Sequence, residues 1–72
     1  MKKIKKIKIT VNGKIKSIKE KTKLSFLLNT LKIPIKKVAI ELNEEIIDKK
    51  SLNKKFLKKN DKLEIVHFIG GG

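Results

Sequence analysis

The chain has 72 residues, of which 39% are hydrophobic and 4% aromatic, and its 20 basic residues against seven acidic ones give a formal net charge of +13. A chain of this length forms one small domain with little core around which to build a deep substrate cavity, so a self-contained enzyme is not expected. The absence of Cys excludes disulfides and thiolate chemistry, and a single histidine, His67, does not make a metal site.

The first predicted elements are two strands joined by a turn. Apolar and polar residues alternate over residues 7–11, as in a half-buried strand. Asn12-Gly13 supplies the residue types most tolerant of positive φ, so a second strand over residues 15–18 should fold back against the first. A strict two-residue turn would place Lys14 and Lys16 on the apolar face. We therefore expect a bulge or a longer loop.

A helix follows the hairpin. Its stripe has the i, i+3, i+4 and i+7 spacing of a single helical face and consists of Leu24, Leu27, Leu28 and Leu31. Thr22 is placed to cap the helix, and Pro34 predicts that it ends near residues 31–32. Phe26 falls outside the stripe, so we expect it to be exposed.

The middle of the chain predicts a third strand and a brief fourth one. Alternation over residues 38–42 indicates the third strand, and a turn near Asn43 and Glu44 leads to the apolar pair Ile46 and Ile47. The lysine-rich segment 48–61 contains three apolar anchors, so we expect a short helical turn and a loop there. The anchors are Leu52, Phe56 and Leu57.

The segment "DKLEIVHFI" predicts a closing strand, with two sets of residues on opposite faces. One face should carry Leu63, Ile65 and His67, and the other Glu64, Val66 and Phe68. A strand histidine more often contacts a neighbour than catalyses a reaction, so we assign His67 no catalytic role.

The order of elements indicates an α+β fold, because a single helix is segregated onto one face of a mixed sheet. The most economical arrangement is the β-grasp, with one main helix, four to five strands, and the last strand beside the first in the centre of the sheet. We expect a β-grasp domain over residues 1–69 and a flexible C-terminal glycine tail over residues 70–72.

Every basic residue of the chain is Lys. Proteins that read nucleic acid favour the planar fork of Arg, and single-strand binders add aromatic platforms, so nucleic acid is an unfavoured partner. We interpret the lysines as a solvated surface, with steering toward acidic partner proteins or RNA as the alternative. Lysines also interrupt "MKKIKKIKITVNG" before an apolar run of signal-peptide type develops. We therefore expect a cytoplasmic protein without membrane contact.

The sequence ends in "VHFIGGG", in which a strand pattern is followed at once by Gly70, Gly71 and Gly72. Glycine has no Cβ and free choice of φ and ψ, which suits a segment that threads a narrow channel. Three extended residues reach roughly 10–11 Å, enough to enter another protein's pocket. The carboxylate of Gly72 is therefore the candidate reactive group.

Four segments, "VNG", "TKLSFLLNTL", "VAIELNEEII" and "DKLEIVHFIGGG", resemble in the same order the ThiS family of small sulfur carriers in thiamine biosynthesis. The resemblance covers nearly the whole chain, and the ending is its most specific part. It implies a ubiquitin-like β-grasp protein that is a co-substrate, not an enzyme, and that binds no cofactor.

The resemblance also implies a reaction and its partners. A ThiF-like enzyme would consume ATP to adenylate the terminal glycine carboxylate, a sulfur donor protein would allow conversion to a thiocarboxylate, and a ThiG-like thiazole synthase would receive the sulfur. The reacting carbon is carried over to Gly72, and Gly70 and Gly71 match the glycine tail. Phe68 is either a core residue or an apolar contact for the activating enzyme, and we predict the contact.

The chemistry of the chain agrees with this reaction. A carboxylate is a poor electrophile near neutral pH and reacts only when one oxygen becomes part of a good leaving group such as AMP. The chain has no Cys to hold a persulfide, so any sulfur that it carries must be on the terminus.

Three other functions stay open at this point. The small subunit of molybdopterin synthase resembles the same family and uses the same terminal chemistry. A ubiquitin-like modifier that is conjugated to proteins or that thiolates tRNA is a second alternative. A basic RNA-binding β-grasp module belongs to a different class and is supported only by the lysines.

Overall fold

The computed structural model of the chain describes residues 4–68, and within them it contains one α-helix, five strands and two short 3₁₀ turns. The strands are β1 (Lys6–Val11), β2 (Lys14–Lys19), β3 (Val38–Leu42), β4 (Glu45–Ile46) and β5 (Lys62–His67). The helix α1 is Leu24–Thr30, and the 3₁₀ turns are Ile35–Lys37 and Lys49–Ser51. The turn at Ile35–Lys37 was not predicted from the sequence.

The strands form one sheet in the order β2-β1-β5-β3-β4. β1 and β5 are parallel, and the other neighbouring strands are antiparallel. The last strand therefore lies beside the first in the centre of the sheet, which confirms the predicted α+β, β-grasp arrangement. The predicted boundary between the domain (1–69) and the tail (70–72) lies outside the described residues and stays a prediction.

The core lies between α1 and one face of the sheet. Its buried members come from every strand except β4, from α1, and from the loop that precedes β5; they are Ile9, Ile18, Leu24, Leu27, Leu28, Val38, Ile40, Leu52, Leu57, Leu63 and Ile65. Burying a side chain of this size contributes about 1.5–3 kcal/mol relative to leaving it exposed. The leucine stripe and the alternation in β3 and β5 are thus confirmed as the core-facing positions.

The hairpin turn between β1 and β2 corrects the expectation of a bulge or a longer loop. Val11 pairs directly with Lys14, so the turn contains two residues only, Asn12 and Gly13, with φ of 50° and 83°. Lys16 consequently lies opposite Ile9 on the inner face, where it is half-buried. A long aliphatic stem at an edge strand can cover apolar surface while its ammonium group reaches water, which is why the strict turn is tolerated.

The start of α1 corrects the prediction that Thr22 caps the helix. The N-cap residue is Lys23 and makes no side-chain capping bond, while the Thr22 hydroxyl donates to the Lys19 carbonyl at 2.6 Å. The first N–H groups of the helix instead donate to distant carbonyls: Leu24 to Lys55 at 2.8 Å and Ser25 to Leu52 at 3.0 Å. The loop after β4 therefore supplies the acceptors that a helix start requires.

The end of α1 agrees with the prediction. The helix ends at Thr30, and Lys32 follows in the left-handed region with φ of 57°. The N–H groups of Lys32 and Ile33 donate to Asn29 and Leu28, respectively, both at 3.0 Å. This pair of bonds is a Schellman motif, which satisfies the last helical carbonyls before Pro34 begins the next segment.

Three apolar anchors were expected in the loop over residues 48–61, and the prediction is wrong for one of them, Phe56. Leu52 and Leu57 are buried, as predicted, but Phe56 is 50% exposed. Its ring lies under the ammonium group of Lys23, with 5.7 Å between Nζ and the ring centroid. Phe26 is exposed, as predicted.

A buried carboxylate, Asp61, fixes the approach of this loop to β5. Its Oδ1 accepts from Nδ2 of Asn43 at 3.0 Å, and its Oδ2 accepts from the N–H of Lys58 at 2.7 Å. Asn43 lies in the predicted turn between β3 and β4, and its Oδ1 accepts from the N–H of Lys62 at 2.9 Å. Two turns and the start of β5 are thus held by one pair of polar side chains.

The side chain of Asn12 continues the pairing of β1 with β5 beyond the end of β1. The backbone register stops at Val11 and Leu63, with the Asn12 N–H donating to the Leu63 carbonyl at 2.9 Å. Two residues further on, the Ile65 N–H donates to Asn12 Oδ1 at 2.7 Å, and Asn12 Nδ2 lies 3.4 Å from the Ile65 carbonyl. The Asn12 side chain therefore replaces the backbone hydrogen bonds that a further β1 residue would make with Ile65.

Replacing Asp61 with Asn should destabilise the fold, because two donors converge on this buried side chain, which would then have one acceptor. Asn43 cannot compensate by rotating its amide, since its oxygen already accepts from Lys62. We expect the free energy of unfolding to fall by about 1–3 kcal/mol in urea denaturation. Asp48→Asn is the control: exposed Asp48 accepts one bond, from the Lys50 N–H, which an amide oxygen also accepts. Equal losses in the two variants would contradict the role of Asp61.

Replacing Asn12 with Gly should weaken the β1–β5 pairing without straining the turn, since Gly tolerates the positive φ. We expect a loss of about 1 kcal/mol and faster hydrogen exchange of the Ile65 amide. Asn12→Asp keeps an acceptor for that amide and should show a smaller change in exchange. The interpretation fails if the Ile65 amide is equally protected in all three proteins.

Candidate functional site

The predicted site is at the end of β5, and the structure describes it as far as Phe68. The Phe68 N–H donates to the Lys37 carbonyl at 3.0 Å, which extends the β3–β5 pairing past the last strand residue. Gly70, Gly71 and Gly72, the predicted tail and reactive terminus, lie outside the described residues. Their roles stay predictions.

Phe68 is not a core residue. Its side chain is 54% exposed, and the Lys49 ammonium group lies 5.3 Å from the centroid of its ring. A cation at this distance over an aromatic face is attracted by the ring quadrupole. The partner-binding role predicted for Phe68 stays a prediction, but the burial that was its alternative is excluded.

Next to Phe68, the sheet face that points away from α1 carries an exposed apolar patch. Val66, which is 51% exposed, pairs with Ala39, and Ile46, which is 75% exposed, lies opposite Glu41 on the same face. We call Ala39, Ile46 and Val66 the outer-face patch. Exposed apolar side chains that group together on a protein surface are typical of a protein contact. Alternation in β5 predicted the direction of Val66 but not this grouping.

His67 pairs with Val38 at the end of β5 and is exposed. Within residues 4–68, no group of three or more His, Cys, Asp or Glu side chains could hold a metal ion. Over the same residues, no helix is long and apolar enough to cross a membrane.

An open groove of about 420 Å³ lies between α1 and the second 3₁₀ turn, near the end of β5. Its apolar lining comes from Ile33, Ile35 and Leu52, and its titratable lining residues are Lys49 and Lys50. Two lysines without a neighbouring acid, base or nucleophile do not make a catalytic pair. The described lining of the groove therefore holds no catalytic pair.

Sequence reasoning missed two residues that position the end of β5. Asn12 was recognised as a turn residue, but its hydrogen bonds to Ile65 depend on the parallel placement of β5. Lys49 was counted among the solvated lysines, although it lies over Phe68. An Asn before a Gly at the end of the first strand is the only signal that could have suggested the former, and no local pattern indicates the latter.

Comparison with known proteins agrees with this geometry. The sequence profile of the ThiS family matches residues 9–72. The sulfur carrier protein ThiS of Bacillus subtilis is 38% identical over 65 residues, which are 89% of this chain and 98% of that protein. The crystal structure of a thiamine biosynthesis protein (ThiS) from Geobacter metallireducens has a TM-score of 0.81 and 32% identity, covering 92% of this chain and 100% of that one.

A thiazole synthase of Paramagnetospirillum magneticum is also similar, with 39% identity over 66 residues. These residues are 92% of this chain but 20% of the synthase, so the chain spans about a fifth of that relative's length. The profile match over most of the chain, together with the similarity to a ThiS over nearly its full length, identifies the family. The chain belongs to the ThiS family, the sulfur carriers of thiamine biosynthesis.

Proposed function

We propose that this chain carries sulfur as a thiocarboxylate on Gly72 and donates it to thiazole formation. The observation that supports the proposal best is the short connection between β5 and the glycines. β5 lies in the centre of a ThiS-type sheet, and in the sequence only Phe68 and Ile69 separate it from Gly70, Gly71 and Gly72. Partner enzymes would then bind the folded domain while they act on the terminus.

The proposed chemistry takes place in two steps on the terminal carboxylate. A ThiF-like enzyme transfers AMP from ATP to one carboxylate oxygen of Gly72 and releases pyrophosphate. Nucleophilic sulfur from a donor protein then attacks the carbonyl carbon, and AMP leaves with that oxygen. The donor supplies this sulfur as the outer sulfur of a cysteine persulfide, so the first product is an acyl disulfide. A thiol then attacks the donor's cysteine sulfur, forms a disulfide with it and displaces the thiocarboxylate. The terminus has then exchanged one oxygen for one sulfur. ATP is consumed by the partner, so this chain needs no bound cofactor.

The thiazole synthase relative supports the choice of acceptor. In that protein a region similar to this chain is joined to further sequence under the name thiazole synthase. Joining two modules in one chain raises the effective concentration of one for the other, which is useful when the two act in consecutive steps. We infer that a ThiG-like thiazole synthase receives the sulfur from this chain.

The outer-face patch and Phe68 are the proposed contacts for the activating enzyme. Ile46, Val66 and Phe68 are exposed and apolar, and Val66 and Phe68 lie at the end of β5, so a partner that takes the terminus into its pocket comes close to them. Gly70 and Gly71 would cross the entrance of that pocket, where the absence of Cβ atoms allows a narrow channel.

Incubation with ATP, a ThiF-like enzyme and a sulfur donor should convert Gly72 first to an acyl adenylate and then to a thiocarboxylate. Intact mass should increase by one oxygen-to-sulfur exchange, and fragmentation should place the change on Gly72. Localisation is needed because oxidation of Met1 gives nearly the same nominal mass shift. An alkylating reagent should label the product but not the cysteine-free starting chain.

Two outcomes would reject this assignment. One is a mass change that maps to Met1. The other is the failure of activating enzymes from both the thiamine and the molybdopterin pathways to produce an alkylatable terminus. Reaction with the molybdopterin enzyme alone would reject thiazole synthase as the acceptor while keeping the terminal chemistry.

Replacing Gly71 with Val should abolish adenylation while docking stays measurable, because a branched side chain restricts the backbone and makes the C-terminal segment too wide for a narrow channel. ATP–pyrophosphate exchange measures adenylation, and competition with the wild-type chain measures docking. Gly71→Ala, which adds one methyl group, is the matched control and should retain more exchange than the Val variant. Normal exchange by Gly71→Val would overturn the narrow-channel argument.

A further inference from the structure

Two 3₁₀ turns with two lysines each reach the end of β5. Because β3 runs antiparallel to β5, the start of β3 and the 3₁₀ turn before it lie beside Phe68, as the bond from Phe68 to the Lys37 carbonyl shows. The second 3₁₀ turn reaches the same place, since the Lys49 ammonium group lies over the Phe68 ring. We call Lys36 and Lys37 of the first turn, with Lys49 and Lys50 of the second, the lysine collar.

The collar charges are available to a partner. All four lysines are exposed. Among the described residues, the two ion pairs join Lys62 to Glu44 and Glu64, and neither includes a collar lysine. Asp48 is the acidic residue next to the collar in sequence, and its Oδ1 accepts from the backbone N–H of Lys50. The two 3₁₀ turns therefore carry four lysines, none of them in a described ion pair, with Asp48 as the acidic neighbour in sequence.

The groove beside the collar indicates the kind of partner. Lys49 and Lys50 form its edge, and Ile33, Ile35 and Leu52 form its apolar lining. A nucleic-acid backbone would use the charges but not the apolar surface, and single-strand binding would require free aromatic platforms. Phe68, the aromatic residue beside the collar, already lies against Lys49. A peptide segment with acidic and apolar side chains uses both features.

Chain geometry also brings this surface to the partner. Four residues, 69–72, span at most about 14 Å when fully extended. Any enzyme that reacts with the Gly72 carboxylate must therefore hold Phe68 within about that distance of its reaction centre, with the collar beside Phe68. This distance exceeds the roughly 8 Å Debye length at physiological ionic strength, so collar charges are largely screened at the reaction centre and act on groups at the entrance of the pocket.

We propose that the lysine collar and the adjoining groove bind an acidic, apolar-containing segment at the entrance of the activating enzyme's pocket. The inference rests on the proposed function and adds to it the chemistry by which the partner recognises the carrier. The collar would position the terminus and raise the rate of encounter, with no part in the chemical steps.

The test compares two variants of equal charge. The collar variant carries Lys36→Gln, Lys37→Gln, Lys49→Gln and Lys50→Gln. The control variant carries Lys5→Gln, Lys6→Gln, Lys8→Gln and Lys19→Gln, at the opposite end of the β1–β2 hairpin from its turn. ATP–pyrophosphate exchange by the activating enzyme gives KM and kcat for each carrier at low and at high ionic strength.

We expect the collar variant to raise KM about tenfold at low ionic strength, with kcat changed less than about twofold, and the control to stay within about twofold in both. The difference should shrink as salt is added. Replacing the four collar lysines with Arg should keep the wild-type KM, which separates charge from a general loss of stability.

Each contrary result has its own meaning. If the wild-type chain supports no exchange, the proposed function fails and the collar inference falls with it. If the wild-type chain is adenylated but the two Gln variants raise KM equally, the proposed function stands and the collar inference is rejected. Binding of single-stranded RNA through the collar more tightly than of the activating enzyme would also reject it.

Discussion

β5 is paired on both sides, and this placement determines how the end of the chain is presented. Five register positions join it to β3, while two positions and the Asn12 side chain join it to β1. A strand with two neighbours cannot shift along its axis without breaking both ladders. The end of β5 is therefore a fixed origin from which the glycine segment starts, in a domain whose core is otherwise small.

Hydrogen bonds of polar groups hold the segments that lie outside the small core. The Asn43–Asp61 pair ties two turns to the start of β5, and carbonyls of the loop after β4 accept from the first N–H groups of α1. Each such bond has a modest net value, but leaving a buried donor without a partner costs more. The lysine-rich loop consequently has few apolar anchors and is nevertheless held in place by the elements that it joins.

The sequence was informative wherever a local pattern governs the structure. The alternation in β3 and β5, the leucine stripe of α1 and the Asn12-Gly13 turn predicted the elements and most of the core. The predictions for Thr22, Phe56 and the hairpin bulge were wrong. The helix start depends on distant loop carbonyls, and the position of Phe56 depends on Lys23. The strict turn is tolerated because the ammonium group of Lys16 can reach water from the edge strand. The hydrogen bonds between Asn12 and Ile65 and the Lys49–Phe68 contact likewise join segments far apart in the chain. For the site itself, the sequence left Phe68 open between a core position and a partner contact, and its 54% exposure excludes the core position. The roles of Gly70, Gly71 and Gly72 stay predictions.

The parallel pairing of β1 with β5 has a consequence for how the protein is made. Thr10 meets Lys62, and the start of α1 meets Leu52 and Lys55, so most of the chain must be synthesised before the first strand and the helix find their partners. Long-range closure of this kind is slow to form, and it is absent from any chain that ends before β5. Such a product therefore lacks both the proposed reacting end and the folded surface proposed for partner contacts. Incomplete chains of this kind would be cleared as unfolded protein and would not compete for the proposed activating enzyme.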